Sequence, residues 1–268
     1  MSVYGDGNVA YDGDLRLAHV LADHADEVTL ARFRAGDLRV ESKPDLSPVT
    51  DADQTVERRI RQMLTSARHG DAIRGEEYDD QGESSRVWVI DPIDGTKNYL
   101  RGVPVWATLI ALIEDGEAVL GVVSAPALGR RWFAAKGEGA WTGRSMSSAR
   151  RIHVSAVAEL AEASFSYSSL SGWERQERLA DFLALTRVVW RTRGYGDFWS
   201  YMLVAEGVCD IAAEPTLALY DMAALAPIIT EAGGRFTDTS GEVEGPFGRD
   251  ALATNALLHT QVLAYLAP

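Results

Sequence analysis

Two long β-type runs, residues 105–113 and 117–124, stand on either side of Asp115-Gly116. An Asp-Gly pair between such runs is a strong signal for a tight antiparallel turn, so the first half of this chain must contain an antiparallel sheet. Residues 131–135 read as a third strand of the same meander, ahead of a glycine-rich turn around 137–143. Upstream, residues 86–90 (RVWVI) read as a buried strand that runs straight into Asp91-Pro92. Two helices precede it. One carries a stripe at Leu17, Leu21, Ala25 and Val28 and stops near Gly36; the other spans about 50–68, with Val56, Ile60, Met63 and Leu64 facing inward. A short strand fits 38–42, and residues 1–11 read as a loose tail.

The rhythm then changes. Strand-like 164–167 leads to helical 173–186, strand-like 188–191 to helical 197–206, and 209–213 to helical 220–232, which ends at Gly233-Gly234. Such alternation predicts an α/β half after the antiparallel half. The expected fold class is therefore α+β, with residues 12–150 and 151–268 as two halves of one compact unit and no flexible linker between them. At 268 residues the chain is long enough to bury a sizeable core.

Composition removes several function classes. A formal net charge of −13 argues against a phosphate-backbone interface, because binding nucleic acid requires a surplus of Lys and Arg. A small phosphate can still bind if metal ions reverse the local field. The single cysteine, Cys209, excludes an intrachain disulfide framework and fits a reducing cytoplasm. Read as an apolar strand residue, it does not suggest a nucleophile. The first thirty residues carry Asp6, Asp12, Asp14, Asp23, Asp26 and Glu27, which is incompatible with a signal peptide. The most apolar stretch, 103–113, is about half the length that spans a bilayer. The five histidines form no convincing metal set.

The strongest chemical signal is Asp91-Pro92-Ile93-Asp94-Gly95-Thr96 at the end of a predicted buried strand. Pro92 keeps Asp91 extended, and Gly95 permits a tight turn, so two carboxylates can converge beside the Gly95 and Thr96 amides. Hard oxygen ligands at this density suit Mg²⁺. The bland alternative is a pair of solvated turns. Further acidic elements are Gly75-Glu76-Glu77 and Asp221 in YDMAA, read singly as surface residues and as a helix N-cap. Thr50 and Asp53 have the spacing of a capping box.

Taken together, DPIDGTKNY, YDMAALAPIITEAGG, VTDADQTVE and GEE, in this order and spacing, resemble the inositol monophosphatase family of Mg²⁺-dependent, lithium-sensitive phosphatases from about Asp14 to the C-terminus. The resemblance implies a layered αβαβα sandwich and a homodimer. It implies two or three Mg²⁺ per site: Glu76, Asp91 and the Ile93 carbonyl around one ion, with Asp91 bridging to a second held by Asp94 and Asp221. It also implies that Thr96, paired with Asp53, orients the attacking water, that the Gly95 and Thr96 amides hold phosphate, and that Glu214 contacts the alcohol. Tyr220 and Tyr99 stand where Trp and Phe are usual in the family.

Within the family, Gly196-Asp197, KPDLSPVTDAD and WSYMLVAEGVCDIAAEP resemble histidinol-phosphatases of actinobacterial type. Asp197 and Glu214 would give a cationic substrate two acidic partners, although Asp197 also reads as a helix N-cap. The alternatives are an inositol 1-phosphate or other polyol or sugar phosphatase and, from another class, a non-catalytic binding protein of the same fold. No clear second phosphate site favours a bisphosphate or nucleotide substrate.

Overall fold

The computed structural model describes residues 10–44 and 46–267. Most of the expected N-terminal tail therefore lies outside the described residues, but Tyr11 belongs to the fold: its hydroxyl donates to Glu114 at 2.6 Å. In chain order the first half contains α1 (Asp12–Arg32), β1 (Val40–Ser42), β2 (Pro48–Thr50), α2 (Asp51–Ala67), β3 (Ala72–Gly75), β4 (Arg86–Asp94), α3 (Thr96–Arg101), β5 (Ala107–Glu114), β6 (Glu117–Ala125), β7 (Arg130–Ala135), β8 (Ala140–Thr142) and β9 (Arg150–Ile152). The second half contains β10 (Ser164–Ser166), α4 (Leu170–Arg175), α5 (Leu179–Thr186), β11 (Arg191–Arg193), α6 (Asp197–Ala205), β12 (Ile211–Glu214), α7 (Leu219–Met222), α8 (Leu225–Glu231), β13 (Arg235–Thr237), β14 (Ala251–Thr254) and α9 (His259–Leu266).

Strands β3 to β9 lie side by side in sequence order, antiparallel except for the parallel pair β3–β4. Because alternate side chains on a strand face opposite ways, each long strand is apolar on both sides and buries two layers. Trp88, Ile90, Ile110 and Leu112 meet Leu21 of α1 and Val56, Ile60 and Leu64 of α2. Val87, Val89, Leu109 and Ala111 face the opposite core, with Met202 of α6 and Ile228 and Ile229 of α8. The second sheet, in the order β11-β10-β12-β14-β13, covers the far side of α6 and α8 and packs its own outer face on α5 and α9 through Phe165, Ile211, Phe182 and Val262. The result is the expected αβαβα layering.

Several expectations need correction. The second sheet is mixed: β10 pairs in parallel with β11 and β12, but β14 runs antiparallel to β12 and β13. The helix expected at 173–186 is two helices, broken where Glu177 takes a left-handed φ of 57°. The strand expected at 188–191 lies at Arg191–Arg193. The helix expected at 220–232 is divided into α7 and α8, and Pro227 lacks the N–H that would bond back to Ala223. Cys209 is buried in the turn ahead of β12 rather than in the strand.

Candidate active site

Strand β4 carries the first two acidic residues. It pairs with β5 as far as Asp91 opposite Leu109, slips register, and pairs once more at Asp94 opposite Ala107. Side chains three positions apart on a regular strand face opposite ways; the bulge removes that constraint and re-aims Asp94 toward Asp91. The Thr108 hydroxyl donates to the Pro92 carbonyl at 2.8 Å and fixes the bulged segment. Gly95 then turns the chain into α3 with φ 84°. A Cβ there would lie 3.0 Å from the Val105 carbonyl oxygen and 3.1 Å from Asp197 Oδ2, so glycine is required for both reasons.

Asp221 arrives from the second half. It is not the N-cap of α7 but its third residue, and its Oδ2 accepts the backbone N–H of Ala218 at 2.7 Å. The segment that follows is seated on β6 at Gly121, where a Cβ would lie 2.2 Å from the Ala224 carbonyl oxygen. That contact brings Asp221 over the end of β4: Asp91, Asp94 and Asp221 each offer an oxygen, all within 4.8 Å of one another. Asp94 Oδ2 accepts the Phe198 N–H at 2.7 Å, at the start of α6.

Electrostatics mark this cluster as incomplete. Asp91 is 1% exposed, and its Oδ1 has no hydrogen-bond partner. Burial first, then the carboxylates of Glu76, Asp94 and Asp221, push its proton affinity well above the usual carboxylate range. Burial and the neighbouring Asp197 and Asp221 do the same for Asp94. Asp221 is pushed up to about 7, again mainly by burial. Among the described residues no cation neutralises these three at once, and uncompensated buried carboxylates are costly. A divalent cation fits such a donor set, all hard oxygen.

Glu76 adjoins Asp91 but, unlike the trio, has a cation of its own. Lys43 Nζ lies 2.7 Å from Glu76 Oε1 and 2.7 Å from Glu77 Oε1, so one ammonium serves both. Burial lowers the Lys43 proton affinity, but its two acidic partners more than offset this and raise it overall.

Asp53 and Thr96 are not bonded to each other. Asp53 Oδ2 is taken by the capping box of α2, accepting the Thr50 N–H at 2.8 Å and hydroxyl at 2.5 Å, while its Oδ1 is buried without a partner. Burial lifts Asp53 to about 6. The Thr96 hydroxyl donates to the Ile93 carbonyl at 3.0 Å. The Gly95 and Thr96 amides open α3, where no preceding helical turn can accept them.

The second acidic pair lies beside the first cluster. Asp197, at a left-handed φ of 47°, does not cap α6 with its side chain; Asn98 Nδ2 donates to its Oδ2 at 3.0 Å. Its backbone N–H donates to the Ser168 hydroxyl at 2.7 Å. Burial raises Asp197 and lifts Glu214 to about 8, and Glu214 Oε1 has no partner. Sequence reasoning missed Lys43, Asn98 and Ser168. Asn98 was within reach, since it belongs to the turn of helix that directly follows Gly95.

Residues 14–267 match the inositol monophosphatase family. The chain is 61% identical to a histidinol-phosphatase of Streptomyces coelicolor over 96% of its own length and 97% of the relative's. It is 57% identical to a histidinol-phosphatase of Mycobacterium tuberculosis, over 94% and 97% of the two chains. Among solved structures it is similar to an inositol monophosphatase from Zymomonas mobilis, at a TM-score of 0.85 and 33% identity, covering 97% of this chain and 99% of that one. Among the described residues no helix is long and apolar enough to cross a membrane.

Proposed function

The chain belongs to the inositol monophosphatase family, and we propose that it is a Mg²⁺-dependent hydrolase that converts L-histidinol phosphate to L-histidinol and phosphate, a step of histidine biosynthesis. The observation that carries the substrate assignment is the second acidic pair, Asp197 and Glu214, beside a phosphatase-type carboxylate cluster. A polyol phosphate presents only hydroxyls there, whereas histidinol phosphate presents an ammonium and an imidazole, which gain charge-assisted hydrogen bonds from carboxylates. The relatives named histidinol-phosphatase support the same reading.

Glu76, Asp91 and the Ile93 carbonyl would hold one Mg²⁺, and Asp91, Asp94 and Asp221 a second. When bound, the ions supply charge neutralisation for the phosphoryl group and a lowered pKa for water. The protein's own part is positioning. The bulge of β4 and the capping bond of Asp221 hold the carboxylates in place. The Gly95 and Thr96 amides point donors at phosphate oxygens. For Thr96 to pass a proton to Asp53 while accepting one from the attacking water, its hydroxyl must turn from the Ile93 carbonyl to the unpartnered Asp53 Oδ1. With a proton affinity near 6, Asp53 is mostly ionised at neutral pH and able to accept it. Asp197, braced by Asn98, and Glu214 would bind the cationic end of the substrate. A homodimer, and a cytoplasmic location in keeping with the lone Cys209 and the acidic composition, complete the proposal.

The test is phosphate release over a panel of histidinol phosphate, inositol 1-phosphate, fructose 1,6-bisphosphate and 3′-phosphoadenosine phosphate, with Mg²⁺ and with EDTA. Histidinol phosphate should be preferred and EDTA should stop turnover. Preference for inositol 1-phosphate would move the assignment to a polyol phosphatase, and full activity in metal-free buffer would remove the metal from it.

A further inference from the structure

The segment VTDADQTVE caps α2 and supplies Asp53, but its last residue, Glu57, has no part in the site as described so far. Glu57 is 0% exposed and lies one helical turn beyond Asp53, on the same side of α2. Its two oxygens have different partners. Oε1 accepts Arg61 Nε at 2.8 Å, and Oε2 accepts the backbone N–H of Glu77 at 2.8 Å. Arg61, 9% exposed, also donates from Nη2 to the Tyr78 carbonyl at 3.0 Å. One buried ion pair on α2 thus grips the chain at Glu77 and again at Tyr78.

The grip extends to Gly75. A Cβ on that residue would lie 2.0 Å from Glu57 Oε1 and 2.4 Å from its Cδ. Gly75 is not in the left-handed region, so the carboxylate, not the backbone conformation, is what demands glycine. The turn 75–78 is laid directly on the head of Glu57, and Glu76 is the residue in the middle of it.

A buried ion pair rarely stabilises a fold more than apolar packing of the same volume would. Its value here is geometric. We infer that Glu57, held by Arg61, is a positioning residue that sets the direction of the Glu76 carboxylate toward Asp91. The inference rests on the proposal that Glu76 is a Mg²⁺ ligand. Residues that orient ligands in this way alter metal affinity about 10- to 100-fold when replaced.

The experiment is a calorimetric Mg²⁺ titration, which needs no turnover, on wild type, Glu57→Gln, Glu76→Gln and the double variant. Glu57→Gln keeps the shape but puts an NH₂ against either the Arg61 or the Glu77 donor. It should weaken Mg²⁺ binding about 10-fold or more. In the Glu76→Gln background it should change the remaining binding less than about twofold, because its effect runs through Glu76. Glu57→Asp, which preserves the charge beside Arg61 but draws the oxygen back from Glu77, carries the same expectation and replaces Glu57→Gln should that variant not fold. Wild-type affinity in the Glu57 variants, or an equal loss with and without Glu76, overturns the inference. No saturable binding to the wild type would instead overturn the metal site itself, and the inference with it.

Discussion

Asp221→Asn should make the metal-free protein more stable while removing its activity. In the folded chain the Asp221 proton is held up to about 7, against 3.8 for a free aspartate. At about 1.4 kcal/mol per pH unit, keeping this group ionised costs the native state up to about 4 kcal/mol above pH 7. The cost is shared with Asp91 and Asp94, whose oxygens lie within 4.8 Å, so about 2 kcal/mol is a fair expectation for removing one charge. Asparagine is nearly isosteric and its carbonyl oxygen can still accept the Ala218 N–H. In a chain of this length, 2 kcal/mol corresponds to a rise in Tm of about 4–8 °C. The sign depends on pH. A carboxyl whose folded pKa is raised binds more protons folded than unfolded, so its penalty sets in as the pH rises through about 4 and is complete above pH 7. Thermal melts in EDTA at pH 8 and pH 4.5 should therefore show the full gain at pH 8 and only about a quarter of it at pH 4.5. Added Mg²⁺ should raise the wild-type Tm more than that of the variant. A variant less stable than wild type in EDTA at pH 8 would refute the claim that an ionised Asp221 is costly to the metal-free native state.

Other perturbations address the remaining links. Asp94→Asn should cut turnover on the order of 10³-fold, since it loses a ligand charge, and Thr96→Ala about 10²-fold; steady-state phosphate release on both checks this. Asp197→Asn, whose side-chain oxygen can still accept from Asn98, should raise KM for histidinol phosphate about 10- to 150-fold and leave inositol 1-phosphate nearly unaffected; equal losses on both would make Asp197 structural. His19 and His259 are held down to about 4, in each case by burial first and then by a neighbouring arginine. Folding keeps them neutral while the unfolded chain takes up protons below about 6.5, so each lowers stability on the order of 2 kcal/mol between pH 7 and pH 5. Relative to wild type, His259→Gln should flatten that acid slope in urea titrations.

The long strands were readable because both of their faces are apolar and the turn between them has one obvious chemistry. The helix breaks were harder. Glu177 carries no sign of a left-handed conformation in its residue type, and the α7–α8 break depends on Pro227 together with the tertiary contact at Gly121, which sits a hundred residues earlier in the chain. Strands β13 and β14 were missed because Arg235–Thr237 and Ala251–Thr254 are too short for a periodic signal, and the neighbours already present in the sheet recruit them. In the site, Asp91, Asp94 and Asp221 stood out by motif, but the β4 bulge that aims two of them together left no mark in the residue pattern. The capping role of Asp53 was visible from spacing; that this role occupies one carboxylate oxygen and leaves the other free was not.

The hydrogen bond from the Phe198 amide to Asp94 joins the first residues of α6 to the last residue of β4, and so crosses from one sheet system to the other. Asp91 and Asp94 arrive on one side of that joint and Asp221 on the other. Parting the two sides would draw Asp221 away from Asp91 and Asp94. The protection of a single amide proton, that of Phe198, therefore reports how far the protein opens at this joint.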